Sequence, residues 1–164
     1  MTKTIIIGNI LSLCAMISDS ISGTRKKHSE ILAVQIVSQF FYSASSLVLK
    51  GYSSTVQSAV AILRNLAAIK NVKSKLVEWV LILLGVVLGI VFNSNGLIGY
   101  LPVVANFIYS VSVFKFKHRE KTLKTIFIVN MIMFAVFNAV IMNYIGLFSC
   151  IVVAVSTLLS LVRA

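Results

Sequence analysis

Two charged residues stand where charge is expensive: Arg64, in the apolar run AILRNLAAIK, and Asp19, in MISDSIS. An arginine at the centre of a membrane helix costs roughly 2.5–3.5 kcal/mol on insertion scales, so it needs a partner, a water-filled cavity or an escape to the interface. Around them the apolar runs carry a second group of polar residues: Gln39, Asn106, Tyr109, Asn130, Ser156 and Thr157. Such groups either hydrogen-bond between helices or line a solute path. Catalysis has no comparable constellation. The four acids are scattered, His28 and His118 sit at the ends of apolar runs among bases, and Cys14 and Cys150 are isolated. No pair has metal-ligand spacing, so neither a metal nor a cofactor is expected, and the chain does not read as an enzyme.

The elements that position these residues follow from composition. Of 164 residues, 59% are hydrophobic and 12% charged, against about 45–50% and about 25% in a soluble domain. A chain this small cannot hide that much apolar surface in a core of its own, so it is integral to a membrane. Seven apolar runs lie between charge clusters and turn signals: Thr4–Gly23, Glu30–Leu49, Ser54–Ile69, Leu76–Phe92, Ile98–Phe116, Leu123–Met142 and Gly146–Val162. Their hydrophobicity does not alternate, which excludes a β-barrel and leaves helices.

The bases then orient the chain. With seven crossings, one side receives Lys3 and Lys50 only, while twelve of the fifteen lysines and arginines fall on the other and Arg64 stays inside a span. The excess marks the cytoplasmic face, with the N-terminus outside and the C-terminus inside. The net charge of +11 therefore reports topology and lipid contact rather than nucleic acid. A cleaved signal peptide is the competing reading of the first run, but that run has a counterpart later in the chain. Leu11-Ser12-Leu13-Cys14 approaches a lipoprotein box, with bulky Leu13 where a small residue is required.

The counterpart is a repeated stretch. DSISGTRKKHSE (residues 19–30) and YSVSVFKFKHRE (residues 109–120) align without a gap, with Ser20/Ser110, Ser22/Ser112, Lys27/Lys117, His28/His118 and Glu30/Glu120 identical. After a three-residue insertion, residues 37–70 overlie residues 130–163 in apolar pattern, with Phe41/Phe134, Val60/Val153, Ala61/Ala154 and Leu66/Leu159 identical. The expected fold is an all-α membrane protein of seven transmembrane helices, a 3+1+3 parallel repeat of a three-helix bundle. Residues 1–70 form the first bundle, residues 71–97 a linking fourth helix and residues 98–164 the second bundle. The single extra crossing gives both copies the same orientation, as in transporters built of parallel repeats.

AILRNLAAIK, GYLPVVANFIYSVSVFKFK (residues 99–117) and FNAVIMNYIGLFSCIVVAVSTLLSLVR (residues 137–163) resemble the YgjV family of bacterial inner-membrane proteins over nearly the whole chain. The resemblance implies a relation to the SWEET, PQ-loop and PnuC-like group, whose members move sugars, amino acids or vitamin precursors. It also implies that Arg64 and Leu101-Pro102 stand at family positions. SWEET-type bundles hold a proline in several helices; here Pro102 is the only one, so a proline-hinge mechanism does not transfer.

The functional expectation is a small transporter or facilitator. It moves a small polar metabolite through a midplane site between the bundles, contributed by Gln39, Arg64, Asn106, Tyr109, Asn130 and Ser156. With Asp19 the only acid well inside a span, a neutral polar molecule or a carboxylate drawn to Arg64 fits better than a large cation. The opposing class is a non-transporting membrane scaffold or interaction protein whose bases engage anionic headgroups. Asp19 and Arg64 are expected to pair, as a clamp or a cytoplasmic gate, against snorkelling of Arg64 to the headgroups. Gly85 and Gly89 give the fourth span a close-packing face, used internally or to form a homodimer.

Overall fold

The computed structural model describes residues 2–22, 28–70, 72, 74–115 and 120–162. The basic cores of the repeated stretch, residues 23–27 and 116–119, lie outside the described residues, as do Lys73 and Arg163. Among the described residues seven α-helices follow one another: α1 (Lys3–Ser22), α2 (His28–Val48), α3 (Tyr52–Ile69), α4 (Lys75–Val91), α5 (Leu101–Lys115), α6 (Glu120–Val140) and α7 (Tyr144–Val162), with a 3-10 turn at Gly96–Tyr100 leading into α5. All seven expected helices form. Pro102 lies in the first turn of α5, where a missing N–H breaks no helical hydrogen bond.

Taken singly among the described residues, Lys3–Ile21 alone is long and apolar enough to cross a bilayer. The apolar parts of other helices are shorter, such as Leu32–Val48 and Thr125–Val140. The helices turn polar side chains inward. Among the described residues fifteen buried side chains are polar and nine are hydrophobic, so this interior is richer in Ser and Asn than in Leu and Ile. Large apolar residues such as Phe40, Val91 and Phe148 face outward, each more than half exposed. This inverts a soluble core and suits a hydrocarbon solvent, where small residues and internal hydrogen bonds hold helices together. Ser45 Oγ shows the device: it lies 2.8 Å from Ser12 Oγ and donates to the Gly8 carbonyl at 2.7 Å.

Packing runs in chain order within two triplets, α1–α2–α3 and α5–α6–α7. The triplets meet along two seams, α1 on α7 and α3 on α5, and α4 lies against both α3 and α5. One end of the molecule gathers the start of α1, the α2–α3 turn, the 3-10 turn and the α6–α7 turn. There Leu49, Phe137 and Ile141 pack with Ile5, Ile98 and Leu101, and Ser94 Oγ donates to the Lys50 carbonyl at 3.3 Å.

The two triplets share their local detail. Lys50 and Met142 end α2 and α6 in the left-handed region, at φ 61° and 59°. At both, the next N–H donates five residues back, Gly51 to Ser46 at 2.7 Å and Asn143 to Asn138 at 2.9 Å, closing the same helix-ending motif. Residues 28, 48, 50 and 52 answer to 120, 140, 142 and 144, a constant shift of 92. In the second half of α2 and just past its end, the buried residues Ser38, Ser45, Ser46 and Leu49 answer at the same shift to Asn130, Phe137, Asn138 and Ile141. The sequence alignment placed this part at a shift of 93. The turn geometry moves it by one residue, so Arg64 matches Ser156 rather than Thr157.

Candidate functional site

The close approach of α4 sets the site. Gly85 and Gly89 are buried against α3 and α5. A Cβ on Gly89 would stand 2.6 Å from Val103 Cγ2 and 2.7 Å from Gln57 Nε2, which leaves room for a glycine only. Gln57, itself buried, occupies the crossing. Its Nε2 donates to the Gly85 carbonyl at 2.8 Å and its Oε1 accepts from Asn106 Nδ2 at 3.1 Å. One side chain thus ties α3, α4 and α5 together.

On one side of that tie, toward the Lys70–Lys75 end, opens a cavity of about 440 Å³. Its polar wall includes Gln35, Gln57, Arg64, Glu78, Asn106 and Tyr109, set among aliphatic residues such as Val60, Leu81 and Val86. The volume is in the range of small-molecule pockets. Helices α3 and α4 run antiparallel, with Gln57 opposite Gly85. Seven residues onward in α3 and seven back in α4 lie Arg64 and Glu78, two turns or about 10 Å deeper and level with each other. Among the described residues neither side chain makes a hydrogen bond or an ion pair, with the other or with anything else. Tyr109, on the α5 wall, packs its ring against Phe127 at 5.5 Å.

Of the residues expected at the site, Arg64, Asn106 and Tyr109 line this cavity together, and Gln39, Asn130 and Ser156 do not. Gln39 is half-buried on α2 and Ser156 is exposed on α7. Asn130 is buried in α6, its Nδ2 without a hydrogen-bond partner. Asp19 and Arg64 have different surroundings. The Asp19 carboxylate accepts from Ser38 Oγ and from the Tyr42 hydroxyl, and Tyr42 reaches Ser149 on α7 at 3.2 Å. Arg64 belongs to the cavity of α3, α4 and α5.

Gln57 and Glu78 were not singled out from sequence. A signal was present: Gln57 and Arg64 are seven apart, as are Glu78 and Gly85, so each pair shares a helix face. Only the antiparallel pairing of α3 with α4 makes the two faces one wall. Among the described residues no three His, Cys, Asp or Glu side chains gather as a metal site.

Neither a curated protein nor a solved structure matches the chain. The family model of the Imp-YgjV bacterial inner membrane proteins matches residues 6–164, so the chain belongs to that family.

Proposed function

We propose that this inner membrane protein is a small facilitator that passes a polar metabolite along the seam between two copies of a three-helix unit. The observation that carries the reading is the cavity lined by α3, α4 and α5 with part of α2. It places a cationic, an anionic and several amide or hydroxyl groups in a pocket of about 440 Å³ within an otherwise tightly bonded polar interior. Ionisable groups that line a cavity within a membrane protein mark solute or ion pathways, and a scaffold has no use for such a lining.

Two further observations support the parallel 3+1+3 arrangement, and with it the kinship to SWEET-like carriers. With α4 set aside, the contacts among the other six helices map onto themselves when α1, α2 and α3 are exchanged for α5, α6 and α7. The bounds, left-handed residues and buried positions of α2 and α6 repeat at one shift. With the twelve bases inside, the cavity lies in the cytoplasmic half and the Gln57 tie closes it toward the outside.

The test is access from both faces. Cys14 and Cys150 are replaced by Ser, and Ser110, half-buried on the cavity wall, becomes the only thiol through Ser110→Cys. A membrane-impermeant maleimide is applied to right-side-out and inside-out vesicles. A facilitator is labelled from both faces, faster from the cytoplasmic one. Labelling from one face alone, or from neither, refutes transport and returns the protein to the scaffold class.

A further inference from the structure

The charges of the cavity specify a substrate class, on the reading of the cavity as a solute site. Arg64 and Glu78 rise from adjacent antiparallel helices at the same height and line one cavity, yet among the described residues they do not pair. Arg64 is exposed and Glu78 half-buried, and opposite charges so placed attract each other where side chains limit the water between them. Holding them apart with space between is sensible when a ligand completes both. A simple anion would leave Glu78 unanswered and repel it; a simple cation would do the same to Arg64. A neutral sugar would satisfy neither charge.

We propose that the cavity binds a zwitterion, its anionic group on Arg64 and its ammonium on Glu78. The guanidinium offers a planar fork that suits a carboxylate or phosphate, and the single carboxylate of Glu78 suits an ammonium. The aliphatic wall at Val60, Leu81 and Val86 takes the apolar remainder, and the Gln57–Asn106 amide pair at the cavity's outer limit offers further polar contacts. Two sources present this chemistry: a free α-amino acid, and the headgroup of phosphatidylethanolamine.

Thermal unfolding of the detergent-purified full chain is measured with each of the neutral L-amino acids. Every stabilising one is compared with its N-acetyl form, which lacks the cation, and its methyl ester, which lacks the anion. The expected result is stabilisation by at least one amino acid, and affinity lower by about tenfold or more for each blocked form, since each loses one charge-assisted contact. In Arg64→Gln the methyl ester binds as well as the free amino acid; in Glu78→Gln the N-acetyl form does. The lipid arm compares nanodiscs of phosphatidylethanolamine with nanodiscs of phosphatidylcholine. A higher melting temperature in the former, abolished by either variant and without any amino-acid effect, assigns the zwitterion to lipid.

Equal binding of free and blocked forms overturns the proposal, as does stabilisation by sugars or simple carboxylates alone, and both leave the solute cavity standing. No response in either arm also overturns it. The wild-type ligand series decides even if a variant fails to fold. The thiol-labelling test refutes the solute cavity separately.

Discussion

Gly85 and Gly89 look interchangeable in the sequence, and the geometry says they are not. The perturbation is one methyl group at each. In Gly89→Ala the new Cβ meets Val103 Cγ2 at 2.6 Å and Gln57 Nε2 at 2.7 Å. Val103 is β-branched and stiff at χ1, and Gln57 is held by the Gly85 carbonyl and Asn106, so α4 must back away. Overpacking of this kind costs about 1–3 kcal/mol, offset by about 0.5–1 kcal/mol from removing a mid-helix glycine. In Gly85→Ala the nearest atoms are Gln57 Oε1 at 3.4 Å and Val60 Cγ1 at 3.6 Å, which are ordinary contacts. Only the helix gain remains. The expected outcome is that Gly89→Ala destabilises by about 1–2 kcal/mol while Gly85→Ala stabilises by about 0.5–1 kcal/mol. The gap of about 2 kcal/mol is a factor of about 30 in the folded ratio, readable by SDS titration in mixed micelles. Equal effects refute the internal packing of α4. Intact monomer stability with loss of a cross-linked dimer in both variants points to a homodimer seam instead.

Three other outcomes follow from the same structure. Lys50→Gly and Met142→Gly each raise stability by about 0.5–1 kcal/mol, because both residues hold a left-handed backbone that glycine adopts freely and both side chains are exposed; a loss in either contradicts the shared turn geometry. Asp19→Asn and Arg64→Gln, whose side chains have different neighbours, give losses that add within about 0.5 kcal/mol in a double-mutant thermal cycle, and a coupling above about 1 kcal/mol restores the predicted ion pair. A reporter fused after Ala164 is active in the cytoplasm and one inserted after Lys50 is active outside, as the twelve-to-two division of bases requires; both on one face rules out seven crossings.

The helices were legible because their ends are written in residues with strong local preferences. Lys50-Gly51, Asn93-Ser94-Asn95-Gly96 and Asn143 break the apolar runs, and the observed termini fall within about five residues of those breaks. The register of the second half was less legible. Valine, leucine and phenylalanine are so frequent that a slip of one residue costs an alignment little, whereas Lys50 and Met142 mark the turn unambiguously in the backbone. The site was half legible. Arg64 declares itself by its price in a membrane, and Asn106 and Tyr109 by their depth. Gln57 hides in the polar start of α3, YSSTVQS, and Glu78 reads as an acid favourable in any first helical turn. Their roles depend on α4 crossing α3 and α5, which no local signal encodes.

That crossing also explains why the cavity opens where it does. On the proposed duplication the molecule has two equivalent seams, α1 on α7 and α3 on α5. The first is stitched shut near one end. Asn9 Nδ2 donates to the Met142 carbonyl at 3.0 Å, and its Oδ1 accepts the Ile145 N–H at 2.9 Å. The second has α4 laid against it, and α4 has no counterpart in the repeat. Its small face binds the half of the seam away from the Lys70–Lys75 end through Gly89, Gln57 and Asn106. Nearer the Lys70–Lys75 end, α4 presents Leu81 and Glu78 in place of glycine, so the cavity opens there. The repeat position of Arg64 is Ser156, exposed on α7, and Glu78 has no repeat position at all. Among the described residues, a base and an acid therefore line one cavity in the seam that carries the extra helix. The linking helix, which the duplication needs for orientation alone, becomes one wall of the site.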